Sequence, residues 1–403
     1  MWLHGIAYEQ IIFHLYTYNF YINTLMDTRI SEIQNFLSHK DYSLATRRML
    51  DLSLDSGSPD LLRNAISWSQ KYRSGIEKGS EPAAGFLQEA KDLLESSKKN
   101  ENNTHNQRLL LNAEHISKTY STGNFSLKPI SLKIHSGDVL GVVGQNGHGK
   151  TTLLRCLAGQ LALDNGELKY DGLNHPDYYS IKQHVSFIPQ RIPRWYGHLK
   201  DNLHFATSIA GVKGETNRLM VDFMLERLNL SAFAHLTWDQ ISSGYRTRFE
   251  IARVLLQKPK LLILDEPLAN LDINAQQTIL TDLRYMAKSA HNPMGIVLSS
   301  QQLHEVEKIA DTVLMIKDGE CLFRTGETPV AEKVFVVEVE TIADRDELVA
   351  ALDNEEIQVQ YNGGFYTLTS ASVSAQEIIN RLASKQIPVT YFRDITHSTK
   401  RFF

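Results

Sequence analysis

Nine consecutive residues have the composition of a phosphate-binding loop. Gly144 to Thr152 read G-Q-N-G-H-G-K-T-T. Glycines let a backbone curl so that successive N–H groups point at phosphate oxygens, and the start of a following helix adds positive potential. Lys150 supplies a point charge, and Thr151 offers a hydroxyl to Mg²⁺. The residues that we expect to contact a nucleotide here are Gly144, Asn146, Gly147, Gly149, Lys150, Thr151 and Thr152.

The loop lies at the first strand-to-helix turn of a segment in which strand-like and helix-like runs alternate. The strand-like runs are Val139 to Val143, His184 to Ile188, Leu261 to Leu264, Gly295 to Leu298 and Thr312 to Ile316. Such alternation is typical of a mainly parallel sheet covered by helices. We therefore expect an α/β domain over residues 108–328.

The last segment, residues 329–403, has the order β-α-β-β-α-β. Its predicted elements are a strand Val334 to Glu340, a helix Arg345 to Leu352 capped by Asp344, a hairpin at Asn362-Gly363, a helix capped by Ser374 with Glu377, and a strand Val389 to Phe392. That order predicts a ferredoxin-like α+β domain. The fold hosts many functions, so it indicates none by itself.

The N-terminal segment, residues 1–95, is predicted to be helical. From Asp27 to about Leu94 its apolar residues recur at helical spacing, and Ser58-Pro59 is a typical helix start. Residues 96–107 are polar and predict a linker, so we expect a mobile docking or regulatory module. For residues 1–26, three explanations stay open: a membrane-surface helix, an added packing helix, or a stretch upstream of a true start at Met26.

Composition limits the classes of function. The net charge of −4 over 403 residues carries no basic excess, so we expect no nucleic-acid partner. Cys156 and Cys321 have neither disulfide-framework nor zinc spacing. No window has the apolar length of a membrane span, and the n-region of a signal peptide is absent. These features predict a cytoplasmic protein.

Four further motifs follow the loop in a fixed order. They are F-I-P-Q at Phe187 to Gln190, I-S-S-G-Y-R-T-R at Ile241 to Arg248, L-L-I-L-D-E-P at Leu261 to Pro267, and L-A-N-L-D at Leu268 to Asp272. Together with the loop they resemble the Q-loop, signature, Walker B and D-loop of ATP-binding cassette (ABC) ATPases. The resemblance implies a P-loop NTPase cassette that binds ATP and Mg²⁺ and hydrolyses ATP. The N-terminal helical segment and the ferredoxin-like domain lie outside the resemblance, on either side of the cassette.

The resemblance assigns roles to individual residues. Asp265, with Thr151 and Gln190, is expected to hold the Mg²⁺ shell. Glu266 is the expected base that orients and deprotonates the attacking water, and Gln190 is expected to contact the ion and that water. Tyr120 occupies the place of the aromatic residue that stacks on adenine in this family. A plain edge-strand tyrosine is a competing interpretation, and Phe125 is a second candidate.

The signature residues imply a dimer. Ser242 and Gly244 precede a helix predicted from about Tyr245 to Gln257, and in the family such a helix start holds the γ-phosphate bound by the other cassette. Asp272 of the D-loop is included in the expected nucleotide site. One chain carries one loop and one signature, so we expect a homodimer or a dimer with a paralogous ABC ATPase. Ser243 and Tyr245 depart from the usual L-S-G-G-Q and alter the partner-facing surface.

Gln301 stands where the family has its switch histidine. An amide can donate a hydrogen bond to the γ-phosphate but cannot carry the positive charge of an imidazolium. We expect Gln301 to serve as the γ-phosphate sensor with slow hydrolysis. His304 is a weaker candidate for that role, because the spacing predicts that it lies on the next helix.

The C-terminal tail R-D-I-T-H-S-T-K-R-F-F, from Arg393 to Phe403, resembles ATPase subunits of exporters. This resemblance implies an integral membrane permease partner and a peripheral position on the cytoplasmic face of the membrane. Trp195, Tyr196 and Leu199 are then candidate permease contacts or, equally, core residues of the helical insert. Two alternatives are a soluble ABC ATPase and a slow-hydrolysing ATP sensor that is not coupled to transport.

Overall fold

The computed structural model describes residues 29–77, 84–98, 108–121, 125–174, 176–269, 271–289, 292–324, 334–352, 356–362 and 364–396. The chain divides into two compact units. The first comprises residues 1–112, 133–137 and 169–296, and the second comprises 113–132, 138–168 and 297–403. The N-terminal segment is thus grouped with the region of the signature and Walker B motifs. The residues after 297 are grouped with the phosphate loop, so these units cut across the predicted domain boundaries.

Within the part of the chain that the structure describes, the first unit begins with four helices, as the spacing of apolar residues predicts. They are residues 29–38 (α1), Tyr42–Asp55 (α2), Pro59–Glu77 (α3) and Ala84–Lys98 (α4). Asp41 caps α2 by accepting a hydrogen bond from the N–H of Leu44 at 3.1 Å. The predicted linker overlaps α4 at residues 96–98, and Ser97 is buried there. Residues 99–107 and 1–28 lie outside the described residues.

Aromatic packing holds α3 and α4 together. Trp68 and Phe86 stack with ring centroids 4.4 Å apart, and the indole N–H of Trp68 donates to the carbonyl of Phe86 at 3.0 Å. The indole therefore buries its apolar face without leaving its polar atom unpaired.

The rest of the first unit alternates helices and strands. In order these are Tyr178–His184 (α6), Val185–Ile188 (β5), Leu199–Ile209 (α7), Gly214–Arg227 (α8), Ser243–Leu255 (α9), Leu261–Leu264 (β6) and Ile273–Ala287 (α10). Strands β5 and β6 are parallel, with Val185 opposite Leu261 and Ile188 opposite Leu264. Strand β5 begins at Val185, one residue later than predicted, because His184 is the last residue of α6. The signature helix starts at Ser243, two residues before the prediction.

The second unit contains the phosphate loop between Val139–Val143 (β3) and Lys150–Leu157 (α5). Gly295–Ser300 (β7) begins in the first unit and ends in the second. It is followed by Leu303–Glu307 (α11), Thr312–Lys317 (β8) and Glu320–Arg324 (β9). Strand β3 pairs with β8 in parallel, and β8 pairs with β9 antiparallel. The predicted parallel α/β arrangement is confirmed.

Three further strands form a separate sheet in the order β2-β1-β4. They are Leu109–Thr119 (β1), Ser126–His135 (β2) and Asn165–Tyr170 (β4). Buried and exposed residues alternate along most of β2, as in a sheet with one face on the core.

The C-terminal residues of the second unit form a four-stranded antiparallel sheet with two helices. The elements are Phe335–Thr341 (β10), Arg345–Leu352 (α12), Ile357–Asn362 (β11), Phe365–Ser370 (β12), Ala375–Ser384 (α13) and Val389–Asp394 (β13). The sheet order is β11-β12-β10-β13. Asp344 and Ser374 cap the two helices as predicted, by accepting from the N–H groups of Glu347 and Glu377. The β-α-β-β-α-β prediction is confirmed; Gly363 of its hairpin lies outside the described residues.

This C-terminal segment has its own apolar core. Val337 and Val339 of β10 are buried against residues of both helices, such as Leu348 and Ile378. Within the described residues, no helix is both long enough and apolar enough to cross a membrane.

Candidate functional site

The phosphate loop depends on glycine at two positions. A side chain at Gly144 would place its Cβ 2.3 Å from the carbonyl oxygen of Ile316, too close for any residue with a Cβ. Gly149 has φ +106° and is the residue before α5, and its Cβ would lie 2.6 Å from Phe125 Cζ. Glycine alone adopts this backbone conformation readily and leaves the space open. The loop can therefore approach a ligand with bare backbone.

Lys150 crosses the loop that precedes it. Its side chain is buried, and Nζ donates to the carbonyl of Gly144 at 2.7 Å and to that of Gln145 at 3.2 Å. Thr151, the next residue, is exposed at the first turn of α5. The ammonium and the hydroxyl are thus held at the start of a helix, where an anion is favoured.

The two candidate aromatic residues lie beside this helix start. The Tyr120 hydroxyl shares a hydrogen bond of 3.3 Å with the buried Thr152 hydroxyl, and the Tyr120 N–H donates to the Phe125 carbonyl at 3.4 Å. Both rings are half-buried, with centroids 6.4 Å apart. The structure therefore brings both residues to the loop. The stacking of either ring on adenine stays a prediction.

His148 ties the loop to the turn between β8 and β9. Its carbonyl accepts from the N–H of Gly319 at 3.0 Å, and its Nδ1 accepts from the N–H of Asp318 at 2.9 Å. No local sequence pattern predicts this contact, because 170 residues separate the two partners. The imidazole accordingly has a structural role within the loop.

Gln301 follows β7 directly and is exposed. The Ser300 hydroxyl donates to Glu305 at 2.9 Å and accepts from the N–H of Gln302 at 3.0 Å. This buried serine holds the turn in shape while Gln301 projects from it. Its action as a γ-phosphate sensor stays a prediction.

In the first unit, Gln190, Asp265 and Glu266 lie at one edge of the parallel pair β5 and β6. The Asp265 N–H donates to the carbonyl of Ile188 at 2.9 Å, which aligns the carboxyl ends of the two strands. Asp265 is buried, Glu266 is half-buried, and Gln190 is exposed. The carboxyl edge of parallel strands is where ligands bind in open α/β sheets.

Glu266 has an unusual backbone conformation. Its φ is +50°, in the left-handed region that residues other than glycine adopt rarely. Such residues concentrate at active sites, where the surrounding structure holds the side chain in one direction. The role of Glu266 as the residue that orients water stays a prediction.

The signature residues lie where α9 begins. Ser242 is the exposed N-cap residue, and its hydroxyl makes no capping bond to its own helix. Gly244 lies against the D-loop, since a Cβ there would be 2.9 Å from Leu271 Cδ2. Tyr245, which replaces the usual glutamine, packs on Phe233 with ring centroids 4.0 Å apart.

Asp272 has a structural role as a helix cap. Its carboxylate accepts from the N–H of Ala275 at 2.8 Å and caps α10. Its inclusion in the nucleotide site stays a prediction, and the cap accounts for an acidic residue here without a ligand.

The residues fit ATP and Mg²⁺ by their chemistry. The bare loop backbone, the lysine and the helix start form a cradle for phosphate. Among the residues that the structure describes, no group of three or more histidine, cysteine, aspartate or glutamate side chains could hold a metal. Of the predicted Mg²⁺ ligands, Thr151 of the second unit offers a hydroxyl, and Gln190 and Asp265 of the first unit offer an amide and a carboxylate. Their joint binding of Mg²⁺ stays a prediction.

Of the three candidate permease contacts, two are buried in the core and one is exposed on the surface. Trp195 is buried, stacks on Trp238 at 4.9 Å, and donates to Glu250 at 3.1 Å. Leu199 is fully buried, whereas Tyr196 is 80% exposed. The core interpretation therefore holds for Trp195 and Leu199, and only Tyr196 remains available to a partner.

Comparison with known proteins gives the same family as the motifs. Residues 127–269 match the family model described as ABC transporter. The phosphonates import ATP-binding protein PhnC of Treponema denticola is 30% identical over 229 residues, which cover 53% of this chain and 89% of that protein. PhnC of Bdellovibrio bacteriovorus is 32% identical over 244 residues, covering 56% and 92%. The structure of cbiO1 from Clostridium perfringens, part of the ABC transporter complex cbiONQ, is 26% identical with a TM-score of 0.49, covering 54% and 88%.

The family model leaves the N-terminal helices outside its bounds. Two relatives at or above 30% identity, each covered over most of its length, together with the ordered motifs, establish the family. The chain belongs to the ABC transporter family as an ATP-binding cassette ATPase.

Proposed function

We propose that this chain hydrolyses ATP to drive a separate integral membrane permease, as a dimer with a second copy or with a paralogous cassette. The start of α9 is the observation that supports the proposal of a dimer. The Ser242 hydroxyl there is exposed and caps nothing in its own helix. One chain has one phosphate loop and one signature, so this helix start is available to a nucleotide held by a partner.

The proposed chemistry is attack of water on the γ-phosphorus of ATP, giving ADP and phosphate. Glu266 orients the water and accepts its proton, while Lys150 neutralises charge on the phosphates. Thr151, Gln190 and Asp265 would hold Mg²⁺, and the ion would supply charge neutralisation. Gln301 donates a hydrogen bond to the γ-phosphate in place of a histidine.

The insert between β5 and α9 offers a surface for the permease. Three large apolar residues on it are strongly exposed: Tyr196 at 80%, Phe205 at 68% and Ile209 at 66%. Exposed apolar groups rimmed by polar residues commonly mark protein contacts. We therefore assign the permease contact to this surface and place the subunit at the cytoplasmic face of the membrane.

The direction of transport has two candidates. The C-terminal tail predicts export, but both PhnC relatives carry import in their names. Those names favour import for this chain and give export no support. Transport of a labelled solute into or out of vesicles that contain the assembled complex distinguishes the two directions.

The Glu266→Gln variant tests the coupling to a permease. It should lower ATP turnover by about 10²–10⁴-fold, the usual contribution of a general base, and should trap the ATP-bound dimer. Isolation of that form from detergent-solubilised native membranes should recover a stoichiometric multi-span protein, identified by mass spectrometry. Glu215→Gln, at an exposed position of α8, is the matched control and should keep full turnover.

Two other results would contradict the proposal. Recovery only from the soluble fraction, alone or with ribosomes or nucleic acid, would favour a soluble ABC ATPase. Negligible ATP turnover by the wild-type chain in a fully assembled complex would favour an ATP sensor.

A further inference from the structure

A cavity of about 330 Å³ lies within the first unit, between the N-terminal helices α2 and α3 and the helices α8, α9 and α10. Its volume is in the range of small-molecule sites, about 300–1,000 Å³. The wall is mainly apolar and adaptable, and it includes Leu62, Met220, Phe223, Met224, Leu255 and Met294. Methionines of this kind adjust to the shape of a bound apolar group.

Two polar side chains that line this cavity carry buried atoms without hydrogen-bond partners. Arg227 is 1% exposed; its Nε and Nη2 both donate to Asp51, whereas Nη1 has no partner. The hydroxyl of Tyr285 is likewise buried and unpartnered. Burial raises the pKa of that hydroxyl, so it is a neutral donor. Buried donors are almost always paired in folded proteins, and two beside one cavity indicate a ligand that accepts from them.

The charges around these donors have a positive excess. The buried members of the cluster are Arg29, Arg47, Arg48 and Arg227 against Asp51, Asp55 and Asp282. At its margin, the half-buried Glu32 and the exposed Lys258 add one charge of each sign, and the half-buried Arg248, which acts on Arg47, adds a further positive charge. The cluster therefore keeps a positive excess, which an anionic ligand would reduce. A dianion would bring a second negative charge beside Asp51 and Asp55, which also line the cavity.

We propose that this cavity binds a small amphiphilic monocarboxylate. The carboxylate accepts hydrogen bonds from Arg227 Nη1 and from the Tyr285 hydroxyl, and the apolar chain lies among the leucine and methionine side chains. A guanidinium and a phenol together suit the two oxygens of a carboxylate. The site is separate from the residues assigned to ATP, and the proposal does not depend on the transport function.

The first test compares three probes of equal chain length by isothermal titration calorimetry on the full chain. Octanoate should bind with one site per chain. Octanol and octylamine should bind at least about ten-fold more weakly, because neither offers a charged acceptor to the two donors. Equal binding of the three probes, or no saturable octanoate binding, would overturn the proposal.

The second test uses variants with matched controls. Met220→Trp fills the cavity and should abolish octanoate binding, while Tyr285→Phe removes one donor and should weaken it by about three- to ten-fold. Tyr179→Phe, at a residue that is 75% exposed and does not line the cavity, should bind as the wild type does. Thermal unfolding checks that each variant is folded. If Met220→Trp does not fold, Tyr285→Phe decides: unchanged octanoate affinity in that variant contradicts the assignment.

Discussion

Replacing Asp282 with asparagine should loosen the N-terminal helices from α10. Asp282 is 3% exposed and accepts from Arg47 Nη1 at 3.0 Å and from Arg48 Nη2 at 3.1 Å. Asparagine has nearly the same shape, but it is neutral and turns an amide donor toward one guanidinium. Burial already lowers the pKa of the Arg47 guanidinium, and Asp282 opposes that shift. The substitution therefore leaves buried positive charge less compensated.

The expected loss in the free energy of unfolding depends on how many carboxylate partners the buried arginines keep. Removing one member of a buried ion pair costs about 3–5 kcal/mol. Arg48 is fully buried and keeps its contact with Asp51 at 2.7 Å, so we expect the lower end, about 3 kcal/mol. A typical domain has about 5–15 kcal/mol of stability in all, so the change is large.

Urea unfolding followed by circular dichroism measures the loss in free energy of unfolding. Hydrogen exchange with mass spectrometry locates it, and protection should fall over α1 to α4 before it falls over α5. The control is Asp60→Asn, because Asp60 pairs with Arg63 at an exposed position and such pairs contribute about 0–1 kcal/mol. A loss in Asp282→Asn no greater than in this control would refute the reasoning.

Three further substitutions or reactions test single features. Gly149→Ala should abolish binding of a fluorescent ATP analogue, since its Cβ would lie 2.6 Å from Phe125 Cζ at φ +106°, and unchanged affinity would contradict this. Gln301→Ala should slow ATP turnover while ATP still binds; equal turnover would remove its role as sensor. Burial raises the pKa of Cys156 to about 11, so iodoacetamide at pH 8 should alkylate Cys321 first, and comparable labelling would contradict this burial. Between about pH 9 and 11 the Cys156 thiol ionises in the unfolded chain but stays protonated in the folded chain. The contribution of this thiol to stability should therefore be lost as the pH rises through that range.

Local chemistry explains why the nucleotide loop and the C-terminal fold could be predicted. The loop needs glycine at particular backbone conformations, and the lysine and threonine must follow at fixed spacing. In the C-terminal segment, the aspartate and serine caps and the alternating strands are readable within a few residues. Asp344 and Ser374 therefore appear in the structure as helix caps where the sequence placed them.

Contacts between distant residues explain most of what could not be predicted. The sequence left Trp195 and Leu199 open between core and surface, because burial depends on partners such as Trp238 that no local pattern contains. The D-loop motif predicts Asp272 as a nucleotide residue, and the same carboxylate caps α10. A short motif does not distinguish a cap from a ligand, because both need an acceptor at a helix start.

The charged residues of α2 show most clearly that a local sequence pattern does not reveal contacts with distant residues. Arg47, Arg48, Asp51 and Asp55 are adjacent or three to four residues apart and would ordinarily form a solvated helix face. All four are buried, because their partners come from residues as much as 235 positions away. Helical periodicity measures only spacing within one helix and contains no information on such partners.

The buried ion pairs between α2 and the helices α8 and α10 are better explained by how they orient these helices than by a net gain in stability. A seam of leucine and methionine side chains would tolerate small shifts of one helix past another, whereas each guanidinium here requires a carboxylate at one place. Desolvation cancels much of the attraction of such pairs, so their main physical effect is to select one arrangement of α2 against α8 and α10. The same arrangement holds Arg227 with two of its nitrogens engaged and one unpaired. A network that fixes the helices in this way therefore also keeps an unpaired cationic donor at the cavity wall, and it makes an anionic group the preferred occupant.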